Sequence, residues 1–430
     1  MTAFRACRKA ETVEYLVRCM TNPARNAKLL AAEITMKPST ITLRRQVALP
    51  DPLRVARAQS APHLGPRLLF FSGGSALNGI ARRLKRYTYN SMHLITPFDS
   101  GGSSRQLRLE FDMPAVGDLR SRLMALADES VLGQPEIYAL FSHRLPSSRA
   151  PEPLRAEIDE ILRGRHPLIG AVPKPMRQLI CTHLDRFADA VGPDFDYRNA
   201  SIGNLILAGG YLGHGRALEP VLFMMSKMVD VRGTVRAIVD ENLHLGATLQ
   251  DGRQVLGQRA LTGKETAPLD SPITGIFLVD GTETGAPVKV NLPKRNRRLI
   301  EQAEVIAYPP GSLYSSVVAN LLPRGVGQAV ARRAVPKVYL PSLGPDPEAK
   351  GHTLADQVGA ILAPLLRDAG GAAGALDMMT HVLCDTDVPQ AACDAVTARH
   401  GIPCLRLPLR DPARPIYDAE AVSQVLVSLN

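Results

Sequence analysis

The chain has 430 residues, 45% of them hydrophobic, and this length predicts two or three domains or one large α/β domain with insertions. Its net charge of +10 suits phosphate-bearing ligands, but the basic residues are dispersed and no aromatic-plus-basic RNA-binding signature accompanies them, which disfavours nucleic acid as a partner. No apolar run is long enough to span a bilayer and no secretory signal is recognisable, so we expect a cytoplasmic protein without membrane contact.

Residues 1–60 are rich in Arg and interrupted by prolines, which predicts a poorly ordered or partly helical extension with a short helix around residues 10–20. Residues 61–430 predict an α/β domain. The apolar run Leu68–Phe71 indicates a strand buried on both faces, followed by a Gly-rich loop and a helix. A second strand, Met92–Thr96, precedes another loop of the same kind.

Two segments in the middle of the chain do not follow this alternation of strand, loop and helix. Residues 130–200 predict a helical insertion, and alternating apolar residues over about 231–290 predict a small antiparallel β-rich subdomain. Strand and helix alternation returns at residue 305. We therefore predict a Rossmann-like α/β fold, with a mostly parallel sheet and helices on both of its faces.

Three loops share a composition of Gly and Ser and follow predicted strands: Ser72–Gly79, Asp99–Ser104 and Gly311–Ser316. Glycines let backbone N–H groups approach a phosphate, and the helix that follows adds its positive dipole end. We predict phosphate binding by these loops and the helix that begins near residue 204, through Gly73, Gly74, Ser75, Gly101, Gly102, Ser103, Ser104, Asn204, Gly311, Ser312 and Ser315.

Two carboxylates accompany the loops. Asp99 follows the second strand and can hold Mg²⁺ or accept a proton from an attacking hydroxyl, whereas Asp118 begins a helix and can either stabilise it or share a metal with Asp99. Asn204 can be a helix cap or a ligand contact. Neither the P-loop nor the dinucleotide-binding Gly pattern is present, which excludes a P-loop ATPase and disfavours an NAD site. The six Cys form no C-x-x-C pair, so their spacing predicts neither zinc nor dithiol chemistry.

Several motifs in order resemble the 2-phospho-L-lactate transferase family, which includes the YvcK-like gluconeogenesis factors. The resemblance covers about residues 65–360 and rests on the segments 70–77, 96–104, 117–128, 201–207, 231–235 and 310–316. The sequence of segment 97–102 and the presence of the helical insertion are most similar to those of a CofD-related branch, which is associated with an ATP-grasp partner and is called the GAK system.

The resemblance implies a nucleotide-diphosphate ligand, such as a GDP- or UDP-linked donor, with Mg²⁺ held by Asp99 and Asp118. Transferase members move phospholactate from a guanosine diphosphate carrier to a deazaflavin hydroxyl, whereas the gluconeogenesis factors bind uridine-diphosphate sugars in a regulatory role. We also expect a homo-oligomer and a functional link to an ATP-grasp protein. Family members carry two adjacent Asp residues where this chain has Asp99 and Ser100. Both a Mg²⁺-assisted transferase and a non-catalytic nucleotide-sugar sensor therefore stay open.

Overall fold

The computed structural model of the chain describes residues 46–130, 134–263, 269–281 and 285–430. The strands of these residues, in chain order, are β1 Leu68–Ser72, β2 Met92–Ile95, β3 Thr234–Ala237, β4 His244–Leu249, β5 Gln254–Leu256, β6 Ile273–Val279, β7 Pro287–Val288, β8 Val305–Tyr308, β9 Lys337–Tyr339, β10 His381–Asp385 and β11 Cys404–Leu407. Seven strands form a sheet in the order β11-β10-β9-β8-β1-β2-β3, and all its neighbours pair in parallel. The other four form an antiparallel sheet in the order β5-β4-β6-β7.

Helices connect and cover the strands. The α-helices of the described residues are α1 Pro52–Ser60, α2 Asn78–Leu84, α3 Gly102–Phe111, α4 Gly117–Leu126, α5 Pro135–Ser142, α6 Pro151–Leu162, α7 Pro167–Ala171, α8 Lys174–Ala190, α9 Ile202–Gly213, α10 Leu218–Met228, α11 Gln258–Thr262, α12 Lys294–Gln302, α13 Val326–Ala331, α14 Leu354–Ala369, α15 Ala375–Met378, α16 Gln390–His400 and α17 Ala419–Ser428. A π-helical turn, Leu313–Val317, follows β8 and continues into a 3₁₀ turn, Val318–Leu321. Two further 3₁₀ turns are Pro62–Leu64 and Pro347–Ala349.

Strand β1 shows why the parallel sheet needs helices on both faces. Leu69 and Phe71 belong to one hydrophobic cluster, whereas Leu68 and Phe70 belong to another on the opposite face, and all four are at most 1% exposed. Alternate side chains of a strand point to opposite faces, so a continuous apolar run requires cover on both. The predicted Rossmann-like fold, with its helices and its separate antiparallel sheet, is confirmed.

Two details differ from the sequence-based expectation. Thr234–Ala237 pairs in parallel with β2, so the β-rich subdomain begins at His244 and the boundary predicted near residue 231 is too early. The alternation of Val235 and Ala237 arises from the edge of the main sheet. Helix α3 was not predicted because its inward face includes the buried, charged Arg108, which interrupts the apolar periodicity.

The predicted helical insertion and the end of the predicted N-terminal extension both contain helices. Helices α5 to α8 lie within residues 134–190, between β2 and β3. Residues 52–60, inside the predicted N-terminal extension, form α1, and the N–H of its cap Asp51 donates to Ser428 Oγ of the C-terminal helix at 2.8 Å. The helix predicted around residues 10–20 lies outside the described residues. Within the described ranges, no helix combines the length and apolar character needed to cross a bilayer.

Candidate functional site

The three predicted loops meet at one edge of the parallel sheet. They follow β1, β2 and β8, which are neighbours in the order β8-β1-β2. The chain extends the sheet in one direction from β1 to β3 and in the other from β8 to β11, so the boundary between β1 and β8 is the point where strand order reverses. Ligands of open parallel sheets bind in the crevice beyond the carboxyl ends of the strands at such a point.

A cavity of about 300 Å³ lies between the loops. Nine of the residues predicted from the sequence line it: Gly73, Gly74, Ser75, Asp99, Gly101, Asp118, Gly311, Ser312 and Ser315. Both predicted carboxylates therefore face the same space as all three Gly-rich loops.

The first loop is bound to Asp118. The Gly74 N–H donates to Asp118 Oδ2 at 2.6 Å, and Asp118 lies in the first turn of α4. Gly74 has a φ of +52°, which favours glycine. A Cβ on Gly73 would lie only 2.6 Å from Thr96 Oγ1 and 3.3 Å from Asp118 Oδ2. The two glycines thus allow the close approach of the loop to Asp118.

Asp99 organises the second loop. Its Oδ1 accepts a hydrogen bond from the Gly101 N–H at 3.1 Å. Burial raises the pKa of Asp99, although the Gly101 N–H and the Arg108 charge oppose the shift. The Arg108 guanidinium donates to the carbonyl oxygens of Phe98 and Asp99 at 3.1 and 3.2 Å, which holds the loop in place.

Four other predicted residues do not line the cavity: Gly102, Ser103, Ser104 and Asn204. Asn204 is 1% exposed, accepts a hydrogen bond from Arg120 Nε at 2.9 Å and donates to Ser103 Oγ at 2.9 Å. It is the third residue of α9, whose N-cap is Ser201, so the cap interpretation of Asn204 is wrong. These contacts assign it a structural role that joins α9 to α3 and α4.

Acidic side chains accept the hydrogen bonds that the backbone N–H groups of the third loop donate. Asp346 Oδ2 accepts from the Leu313 N–H at 2.7 Å, and Glu348 Oε2 accepts from the N–H groups of Tyr314 and Ser315 at 2.9 and 2.7 Å. The Ser315 hydroxyl donates to Glu348 Oε1 at 2.5 Å. Phosphate binding by Ser315 therefore stays a prediction, and it requires Glu348 to release these donors.

Glu348 is buried, with 1% of its surface exposed. Burial is the main reason that its pKa rises to about 7, and the neighbouring Asp346 carboxylate adds to the shift. Nothing in the sequence near residue 313 indicates Glu348, because it follows Ser315 by 33 positions.

Sequence reasoning also missed part of the cavity wall. Gln258, Arg259 and Thr262 of the short helix α11 reach it from beside the antiparallel sheet. The Gln258 side chain accepts a hydrogen bond from the Ser100 N–H at 2.8 Å, and the Arg259 N–H donates to the Ser100 hydroxyl at 3.2 Å. The local sequence signal is limited to Arg259, which lies two residues after Gly257, a glycine with a φ of +87°.

A buried guanidinium lies beneath the first loop. Arg122 is 1% exposed, its Nη2 is 3.4 Å from the Gly74 carbonyl oxygen, and its Nε and Nη1 have no hydrogen-bond partner among the described residues. Burial lowers the pKa of Arg122 to about 10, against the attraction of Asp118. Because Arg122 stays charged at neutral pH, it adds positive potential below the loop.

A second, larger cavity of about 730 Å³ adjoins the first. The two share Ser75, Ala76, Gly311 and Ser312, and the larger one extends towards the loops at 342–347 and 411–420. Together they offer space of the size that proteins use for cofactor-sized ligands.

Comparison with known proteins agrees with this geometry. The family model described as 2-phospho-L-lactate transferase CofD matches residues 68–404. A putative gluconeogenesis factor from Nostoc sp. (strain PCC 7120 / SAG 25.82 / UTEX 2576) is 27% identical over 362 residues, which cover 84% of this chain and 62% of the relative. The gluconeogenesis factor from Bacillus subtilis (strain 168) is 28% identical over 298 residues, covering 69% of this chain and 74% of the relative. The chain thus spans less than two thirds of the Nostoc protein's length.

A solved structure has the same fold. The crystal structure of a protein member of the UPF0052 family from Bacillus halodurans superposes with a TM-score of 0.60 at 22% sequence identity. The alignment covers 84% of this chain and 98% of that protein.

Proposed function

Since the chain belongs to the 2-phospho-L-lactate transferase CofD family, we propose that it binds a nucleotide-diphosphate-linked donor and transfers its phosphorus-containing group with the help of Mg²⁺. One observation carries the proposal: the three Gly-rich loops and two carboxylates face one cavity at the strand-order reversal.

The cavity suits a diphosphate. Gly73 and Gly74 place no side chain in the cavity, and Ser312 and Ser316 also line it, with Ser316 Oγ 3.2 Å from the position that a Cβ on Gly73 would take. Arg259 at the rim and the buried Arg122 below supply positive charge, and the N-terminal end of α4 adds its dipole. The diphosphate occupies the smaller cavity, and the nucleoside extends into the larger one through the residues that the two share.

The two carboxylates fit Mg²⁺, which prefers oxygen ligands and is commonly bound by one or two carboxylates together with substrate phosphates. Burial raises the pKa of Asp99, which means that its negative charge lacks full compensation in the cavity. Asp99 and Asp118 would hold the ion, and its positive charge would offset this cost. The ion would neutralise charge on the diphosphate.

The residues of the chain supply positioning and charge, which is most of what phosphoryl-type transfer requires. The acceptor oxygen forms a bond to phosphorus, the phosphoanhydride bond breaks, and the nucleoside monophosphate leaves. One carboxylate oxygen of Asp99, which follows β2, would hold Mg²⁺, and the other would accept the proton of the attacking hydroxyl. The loops hold the leaving phosphate.

A specific observation favours a second candidate, a regulatory nucleotide-sugar sensor without turnover. Ser100 stands where the family has a second Asp, and its N–H and hydroxyl are engaged with Gln258 and the Arg259 backbone. This position therefore ties the second loop to α11 and adds no carboxylate. Relatives of the chain also bear the name gluconeogenesis factor.

Asp99→Asn and Ser100→Asp separate the two candidates. Phosphorus NMR of GDP-linked and UDP-linked donors, with Mg²⁺ and a deazaflavin alcohol as the acceptor, measures cleavage of the phosphoanhydride bond, and calorimetry measures binding. For a transferase, Asp99→Asn lowers cleavage by about 10²-fold or more, the scale of general-base catalysis, and Ser100→Asp maintains or raises it.

A sensor gives no cleavage with the unmodified chain, and Asp99→Asn keeps most of the affinity. Absence of binding to every nucleotide by the unmodified chain contradicts both candidates. The assignment to the branch associated with an ATP-grasp partner stays a prediction, which co-purification with such a protein tests.

A further inference from the structure

Three cysteine side chains meet outside the phosphate cavity. The Sγ atoms of Cys384, Cys393 and Cys404 all lie within 4.8 Å of one another. They come from a single strand-helix-strand unit, β10, α16 and β11. Nothing in the proposed transfer chemistry uses them.

The register of the two strands explains the cluster. Cys404 is opposite Val382 in the parallel pair β10–β11, and Cys384 lies two residues after Val382. Side chains two residues apart share a face of a strand, so Cys384 and Cys404 project to the same side. Helix α16 carries the buried Cys393 towards that side. The spacing of eight and ten intervening residues resembles no C-x-x-C motif, which is why the sequence alone did not indicate the cluster.

The surroundings are apolar and open on one side. Cys384 and Cys393 are 0% and 3% exposed and belong to the hydrophobic cluster that includes Val396 and Ile402. Cys404 is only partly buried, which gives an entry path from solvent. In its protonated form, Cys404 Sγ donates to the Cys393 carbonyl oxygen at 3.7 Å.

The three thiols differ in acidity. The pKa of Cys404 is lowered, mainly because the Cys384 thiol donates a hydrogen bond to its sulfur, and burial only partly opposes this effect. The pKa of Cys384 is raised, first by that shared hydrogen bond and then by burial. Cys404 is also the one member of the cluster that is only partly buried, so an entering ion reaches its sulfur first.

We propose that Cys384, Cys393 and Cys404 form a binding site for one thiophilic metal ion of the Cu(I) class, held by three sulfurs. Soft thiolate ligands select ions such as Cu(I), whereas structural Zn²⁺ is almost always four-coordinate. Among the described residues, the cluster contains no fourth His, Cys, Asp or Glu ligand. Binding displaces the thiol protons to solvent, no electron is transferred, and the entering ion bonds first to Cys404.

The probe is Cu(I) presented by a chromophoric chelator under anaerobic, reducing conditions. The full-length chain carries Cys7→Ser, Cys19→Ser and Cys181→Ser, so only the cluster cysteines remain. We expect this protein to withdraw one Cu(I) per chain and to melt at a higher temperature with the ion, because a ligand that binds only the folded state stabilises it.

The matched variants add Cys393→Ser or Cys404→Ala to that background. Each removes one sulfur, and we expect binding about 100-fold weaker, since loss of even an outer-shell partner costs 10–100-fold. Circular dichroism confirms that the variants fold, and Cu(I)-dependent melting of the background protein supplies a test that does not depend on them. The proposal is overturned if the background protein takes no Cu(I) from the chelator, or if the variants take as much as it does.

Discussion

Glu348→Gln tests the buried carboxylate that occupies the donors of the third loop. The pKa of Glu348 rises from an ordinary value of 4.5 to about 7 because the carboxylate is buried. The folded chain therefore binds one more proton than the unfolded chain between these two pH values. Stability from this group is complete below pH 4.5 and is lost as pH rises towards 7 and above. The shift in pKa corresponds to a loss of about 3 kcal/mol in the free energy of unfolding at pH 8.

Glutamine is uncharged at every pH and keeps one acceptor for the N–H groups of Tyr314 and Ser315. As pH rises from 5 to 8, we expect the free energy of unfolding of the variant to increase by about 3 kcal/mol relative to that of the unmodified chain. Urea denaturation followed by far-ultraviolet circular dichroism measures the difference, because the chain has no Trp to report by fluorescence.

The control is Glu301→Gln, on the exposed surface of α12. It should leave the pH dependence of unfolding unchanged. If Glu348→Gln also leaves it unchanged, the carboxylate is not held in a desolvated state, and the explanation of the third loop is wrong.

Other substitutions test the first loop and its support. Gly73→Ala places a Cβ 2.6 Å from a neighbouring oxygen and should abolish nucleotide binding in calorimetry, whereas Gly170→Ala on α7, which lines neither cavity and has nothing within 4 Å of the added Cβ, should bind normally. Asn204→Ala leaves the partly buried Arg120 Nε without its acceptor and should destabilise the chain by about 1–3 kcal/mol in urea denaturation; an unchanged denaturation midpoint would refute the structural role. Arg122→Met removes a buried, incompletely bonded guanidinium and should change stability by about 1 kcal/mol or less, yet weaken diphosphate binding about tenfold; equal affinity would show that its charge does not reach the loop.

The sequence predicts the sheet and the loops because both depend on local patterns. Leu68–Phe71 is continuously apolar because each side chain is buried on one face or the other, and the glycines that follow it mark the turn. The positions of Asp99 and Asp118 follow from the same pattern, since Asp99 lies in the Gly-rich loop that follows β2 and Asp118 lies in the first turn of α4.

What the sequence does not reveal depends on contacts between distant segments. Glu348 reaches Ser315 across 33 positions, and Arg259 enters the cavity from beside the second sheet. Asn204 lies in the first turn of α9, yet its hydrogen-bond donor is Arg120, 84 positions earlier. The cysteine cluster likewise requires the register of β10 and β11. Contacts between such distant residues leave no periodic pattern in a single sequence.

The central claim is that the three loops form a diphosphate site that uses Asp99. Calorimetric titration with GDP, UDP, UDP-N-acetylglucosamine and ADP, each with and without Mg²⁺, tests it directly. We compare the unmodified chain with Asp99→Asn and with the exposed control Asp189→Asn on α8. The account predicts binding of at least one of these nucleotides that is strengthened by Mg²⁺, loses this strengthening in Asp99→Asn and keeps it in Asp189→Asn. Binding that is identical in all three proteins, or no binding at all, would contradict it.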